Sequence, residues 1–169
     1  MAQLIWKNDH TLEDYAMELA RLSSGSGKIL GKAVYAMADI VANAIRENID
    51  KMDASPDIEG IKAWKEGRKA NLTISEKKAL KDGFGISTMQ RTDGYYNVKL
   101  GFDGYDSVKT DSYPKGRPIV MIARSLESGS SVREKHPFIR PAINSSKKAA
   151  LEACQRIIDE EMKNQMGGG

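Results

Sequence analysis

FGISTMQRTDGYYNVKLGF, residues 84–102, is the stretch where the spacing of apolar side chains changes from helical to alternating. Phe84 to Arg91 and Tyr95 to Phe102 flank Thr92-Asp93-Gly94, and Asp-Gly between alternating runs is a strong short-range hairpin signal. In the second run Tyr96, Val98, Leu100 and Phe102 point one way, with Asn97 and Lys99 on the other face. A second Asp-Gly, Asp103-Gly104, predicts a return strand over Tyr105 to Lys109. Pro114, Gly116 and Pro118 then keep Thr110 to Pro118 as loop.

On the N-terminal side of this hairpin the pattern is helical. Thr11-Leu12-Glu13-Asp14 resembles a capping box, and Leu12, Tyr15, Ala16, Leu19 and Leu22 follow on one helical face. Ser23-Ser24-Gly25-Ser26-Gly27 ends that helix. A longer one spans about Lys28 to Ile49, with the stripe Ile29, Ala33, Ala36, Met37, Ile40, Val41, Ala44 and Ile45. Its alanines permit close approach, so the two helices read as an antiparallel pair. Residues 52–74 break pattern at Pro56 and Gly60 and read as a surface insertion with a short helix over Ile58 to Lys69. Another short helix is predicted over Ser75 to Lys81, capped by Ser75.

On the C-terminal side, Ile119, Ile122, Ala123 and Leu126 recur at i, i+3, i+4 and i+7, and Gly129 stops the helix they define. A last helix runs from about Pro141, a favoured first-turn position, to Asn164. Its apolar face carries Leu151, Cys154, Ile157, Ile158 and Met162. Residues 166–169 read as a flexible tail. The sum is an α+β fold in one domain over residues 1–169: a helix pair, a small antiparallel sheet with an Asp-Gly hairpin, and two C-terminal helices. A sheet of two or three strands is marginal alone, and an open edge invites pairing with another copy.

The bulk properties narrow the function classes. A chain of 169 residues, 40% hydrophobic and 29% charged, can bury a core as one ordinary globular domain. It has no run long enough to cross a bilayer and no basic, then apolar, leader at its start. Its one cysteine, Cys154, allows no internal disulfide and no cysteine-pair metal site, which suits a reducing cytoplasm. Net charge is only +3, but Lys62, Lys65, Arg68, Lys69, Lys77, Lys78 and Lys81 face only Glu66 and Glu76 within residues 62–81. Seven bases less two acids leave a local excess of five. Such a run is either a solvated helix face or a phosphate-attracting patch that reads no sequence.

The residues that resemble chemistry fail in detail. Gly25-Ser26-Gly27-Lys28 lacks the upstream glycine of a phosphate loop, where Leu22 stands, and the hydroxyl after the lysine, where Ile29 stands. His10 and His136 are the two histidines, and His136 lies beside Lys135, which repels a cation. No Gly-x-Ser-x-Gly elbow is present. Cys154 falls on an apolar helix face as a small core residue, and Asp159-Glu160-Glu161 reads as a solvated face. No catalytic, cofactor-binding or metal-binding residue is therefore assigned.

Residues 119–143 carry a different signal. Leu126-Glu127-Ser128-Gly129 ends a helix, a polar loop follows, and His136-Pro137-Phe138-Ile139-Arg140-Pro141-Ala142 opens the last one. This order resembles the head–tail joining, or tail-completion, proteins of the neck of long-tailed bacteriophages. In that family a Leu-Glu-x-Gly run precedes Pro-Phe-x-Arg-Pro-Ala and a final helix. Ala79-Leu80-Lys81-Asp82-Gly83 also resembles the family's lead into its first strand, with Thr73-Ile74 in place of the usual Thr-Gly. The resemblance implies a ring of identical subunits, six to match the tail, joining head to tail around a channel that genomic DNA crosses. Its neighbours would be a neck or head-completion protein and the tail tube, with the virion assembled in the host cytoplasm.

Within that expectation Leu126, Glu127, Phe138, Arg140 and Pro141 are interface or anchor residues. Phe138 either anchors the start of the helix in the core or serves as an interface plug, with Arg140 reaching a carboxylate on a neighbouring copy. The loop of residues 130–135 is polar and mobile enough to reach a partner. Lys65, Arg68, Lys69, Lys77 and Lys78 are the DNA-proximal candidates. The rival readings are a sequence-nonspecific nucleic-acid-binding protein using residues 62–81, and a small enzyme, which would need a pocket of converging groups.

Overall fold

The computed structural model describes residues 26–166. They form five helices and four short strands in an α+β arrangement. Helix α1 (Ser26–Lys51) and helix α5 (Ile139–Met166) are the two long elements. They run antiparallel, because Lys32 near the start of α1 meets Glu161 near the end of α5, while the Asn48 amide donates to the Phe138 carbonyl at 2.9 Å at the other end. Their buried seam combines Ala33, Ala38 and Ala42 with Ala142 and Ala150, small residues that let the backbones approach. Val41, Ile45, Ile49 and Ile158 fill it. Each large apolar side chain so enclosed contributes roughly 1.5–3 kcal/mol, so packing more than helix propensity holds the pair. The expected partner for α1 was the helix over residues 11–22, which lies outside the described residues, as does the glycine tail.

Strands β1 (Phe84–Ile86), β2 (Gln90–Thr92), β3 (Tyr95–Asn97) and β4 (Leu100–Phe102) make one ribbon in two pieces. Thr92 pairs with Tyr95, so Asp93-Gly94 is a two-residue loop. Both loop residues have positive φ, 51° and 86°, as a type I′ hairpin turn requires. The expected unbroken strands are interrupted. Ile86 faces Leu100 but Gln90 faces Asn97, so Ser87, Thr88 and Met89 oppose only Val98 and Lys99. That extra residue is a bulge, and Ser87 stabilises it: its amide donates to the Lys99 carbonyl and its hydroxyl accepts from the Lys99 amide, both at 2.8 Å. The half of the ribbon nearest the body buries Phe84, Leu100 and Phe102, whereas β2 is wholly exposed.

The third strand over residues 105–109 does not form. Tyr105 makes a single bridge to Pro118, after which the Asp106 carboxylate accepts from the amides of Val108 and Arg117 and curls the chain. Helix α2 (Asp57–Lys65) lies within the expected insertion, and that insertion is tied to the body. Ser55 bridges Thr73, Ala70 bridges Arg133, and Leu72 is buried.

Helix α3 (Ile74–Gly83) is capped by Thr73 and not by Ser75. The Thr73 hydroxyl accepts from the Glu76 amide, and the Glu76 carboxylate accepts from the Thr73 amide, a reciprocal capping box. Ser75 instead donates its amide and hydroxyl to Asp57. Helix α4 (Ile119–Ser128) buries Ile119, Ile122, Ala123 and Leu126 as the spacing predicts, and stops at Gly129 with φ 75°. Helix α5 begins two residues before Pro141, which sits within its first turn.

Candidate functional site

The two motifs of the 119–143 stretch meet through one carboxylate. Glu127, in the last turn of α4, accepts the amides of Phe138 at 2.8 Å, Ile139 at 2.9 Å and Arg140 at 3.0 Å. A helix start leaves such amides without intrahelical partners and carries partial positive charge. Glu127 therefore caps α5 from another helix. Leu126 beside it is fully buried, so α4 and α5 are locked at a set angle. Phe138 is 1% exposed and lies edge-on to Phe102 at 6.0 Å, which in turn packs against Phe84 at 5.0 Å. It is the anchor of the two readings, and its ring is not available as a plug. Arg140 and Pro141 stand on the exposed first turn of α5, and the Arg140 guanidinium is 4.0 Å from Glu127.

The loop of residues 130–135 is pinned and not free to reach outward at its centre. Arg133 is buried and forks onto Glu76, with nitrogen–oxygen distances of 2.6 and 3.0 Å. Glu76 also meets Arg117 at 2.9 Å, and Arg117 in turn holds buried Asp106. The chain Arg133–Glu76–Arg117–Asp106 thus joins the 130–135 loop, the start of α3, and both ends of the 103–118 loop. Burial pushes the Glu76 carboxyl up. The hydrogen bonds and charge of Arg133, the Thr73 amide and the Arg117 charge outweigh that and hold it below its ordinary value. Such networks contribute little net stability but define one geometry, because each member left unpaired would be costly. None of these four residues shows this role in the sequence, where the Thr-x-x-Glu spacing of Thr73 and Glu76 is the one local signal.

The basic run disperses when folded. Lys77 donates to the carbonyls of Asp50 at 2.9 Å and Met52 at 2.7 Å, closing the C-terminal end of α1. Lys81 pairs with Asp50, Lys78 with Asp82, Arg68 with Glu66, and Lys69 more distantly with Glu134 at 3.9 Å. Lys62 and Lys65 alone among the seven have no acidic or carbonyl partner among the described residues, and both are exposed on α2.

Reactive chemistry has little to work with among the described residues. Burial raises the Cys154 thiol, which sits inside the α1–α5 seam as an inert core group. His136 is exposed, and no group of three metal-ligating side chains converges. A shallow depression beside α2 is lined by Ser55, Glu59, Gly60, Ala63, Arg68, Lys69 and Asn71, without a nucleophile–base pair. No described helix is long and apolar enough to cross a membrane. Comparison with protein-family models, curated proteins and solved structures returns no match.

Proposed function

We propose that this protein is a structural subunit of the phage neck, a ring that completes the tail, joins it to the head and leaves a path for DNA. The observation that carries the reading is the Glu127 cap. The residues on which the family resemblance rests are the ones that lock α4 to α5, Leu126 and Phe138 in the core and Glu127 across the gap. A block whose loops are further fixed by the Arg133–Glu76–Arg117–Asp106 chain suits mechanical load, and identical copies meeting by two different faces close into a ring. Six copies would match the tail, with a neck or head-completion protein on one side and the tail tube on the other.

The nucleic-acid-binding alternative finds less support. Five of the seven cations in residues 62–81 are engaged within the chain. The test is native mass and negative-stain imaging of the purified full chain. Annular oligomers with an open centre are expected; a monomer at every concentration would overturn the ring.

A further inference from the structure

The outward face of α2 is uncovered by any described residue. Helical spacing puts Ile58, Ile61, Lys62, Trp64 and Lys65 on one arc, while Ala63 on the opposite side is buried and Gly60 is set against Thr73. Trp64 is 72% exposed, Ile58 66% and Ile61 51%. A tryptophan and two isoleucines side by side in water mark an interaction surface, and tryptophan is favoured at binding hot spots. Nucleic acid fits it poorly, since isoleucine offers phosphate nothing and cannot stack on a base as an aromatic does. With Lys62 and Lys65 beside the apolar arc and without a partner among the described residues, the face suits an apolar ridge bordered by carboxylates.

The chain itself contains such a ridge. Leu12, Tyr15, Ala16, Leu19 and Leu22 recur at helical spacing, with Glu13 and Glu18 on either side. Reach argues against the segment binding its own α2. Asp57 is bonded to Ser75, and Lys77 to Asp50 and Met52, which fixes the start of α2 at the C-terminal end of α1. The segment joins the opposite end of α1, a 26-residue helix about 39 Å long. A helix of twelve residues, as the spacing predicts, is about 18 Å long, and three further residues add at most about 14 Å, together less than the length of α1. We infer that residues 11–22 of one copy dock on the Ile58–Ile61–Trp64 face of a neighbouring copy. This rests on the self-assembly in the reading above and names the interface that carries it.

The experiment uses full-length chains. Leu19→Cys and Trp64→Cys are made separately in a Cys154→Ala background, mixed and mildly oxidised. A covalent heterodimer of the two chains is expected. Lys62→Glu with Lys65→Glu should weaken association roughly tenfold by sedimentation. Glu13→Lys with Glu18→Lys supplied in the same chain should restore it. Circular dichroism confirms that these variants remain folded, since α2's outer face supports no core contact. If oligomers form normally in Trp64→Ala and in the lysine variant and no heterodimer appears, the docking is overturned and the ring stands. A chain bearing both cysteines that closes only on itself overturns the exchange between copies. Wild type that stays monomeric overturns both.

Discussion

At the scale of single residues, Glu76 and Glu127 are the carboxylates on which the geometry turns. Glu76→Gln keeps an acceptor for the Thr73 amide but leaves buried Arg133 without its counter-charge, while Arg117 keeps Asp106. Removing one partner of such a pair costs about 3–5 kcal/mol, readable as a lower urea midpoint. The sign of its pH dependence follows from the lowered folded pKa. Stability from Glu76 is fully present above the unfolded carboxylate value of about 4.3 and is lost as pH falls through the lower folded value. The gap between wild type and Glu76→Gln should therefore be widest above about pH 5 and narrow steadily below about pH 4. Glu127→Ala uncaps α5 and should lower stability by about 1–2 kcal/mol in thermal melts, with Glu127→Gln losing less because one acceptor remains.

At the scale of elements, the loop of residues 103–118 is mostly exposed and irregular, yet its two ends are tied together around buried Asp106 and Gly116. Asp106 and Arg117 exchange backbone and side-chain bonds, and the Ile119 amide donates to the Gly104 carbonyl at 3.0 Å. Gly116 closes this loop with φ 101°, and a Cβ there would overlap the Asp106 carbonyl. Gly116→Ala should therefore cost about 2 kcal/mol or more, since both the backbone conformation and the space are lost. Because Asp106 is displaced with it, Arg117 loosens too. Hydrogen exchange should then rise at the amides of Val108 and Arg117, which Asp106 now accepts, while the α1–α5 seam stays protected. Uniform loss of protection would contradict this division.

At the scale of the whole molecule, the two faces of the block have different work. The side formed by α1, α5 and the three phenylalanines is core, and α2 stands away from it with its apolar arc outward. A bare subunit should bind duplex DNA weakly, because only Lys62 and Lys65 of the basic run are without partners in the described chain. The slope of log affinity against log salt should be about −2 or shallower, measured by fluorescence anisotropy at several salt concentrations. A slope near −6 would mean that the engaged lysines release their partners for phosphate and would revive the nucleic-acid reading.

Local pattern was enough to establish every described helix, the Asp93-Gly94 turn and most core positions, since period and turn chemistry depend on near neighbours. Ile119, Ile122, Ala123 and Leu126 could be assigned inward from spacing alone, as could Val98, Leu100 and Phe102. What depends on distant parts of the chain was not legible. The bulge at Ser87–Met89 shows only when the two strands are set in register. Thr73 caps α3 through its local box with Glu76, and only the fold shows that the Ser75 hydroxyl is drawn instead to Asp57, 18 residues away. Arg133 looked like a solvated loop residue and became a buried one because Glu76, 57 residues away, meets its guanidinium. Glu127 reads in the sequence as the end of one helix and an interface or anchor residue, and the fold makes it the cap of the next helix. Sequence thus determines the elements and their inward faces, whereas tertiary structure decides which charges are enclosed, because a buried ion pair is tolerable only where folding brings both partners together.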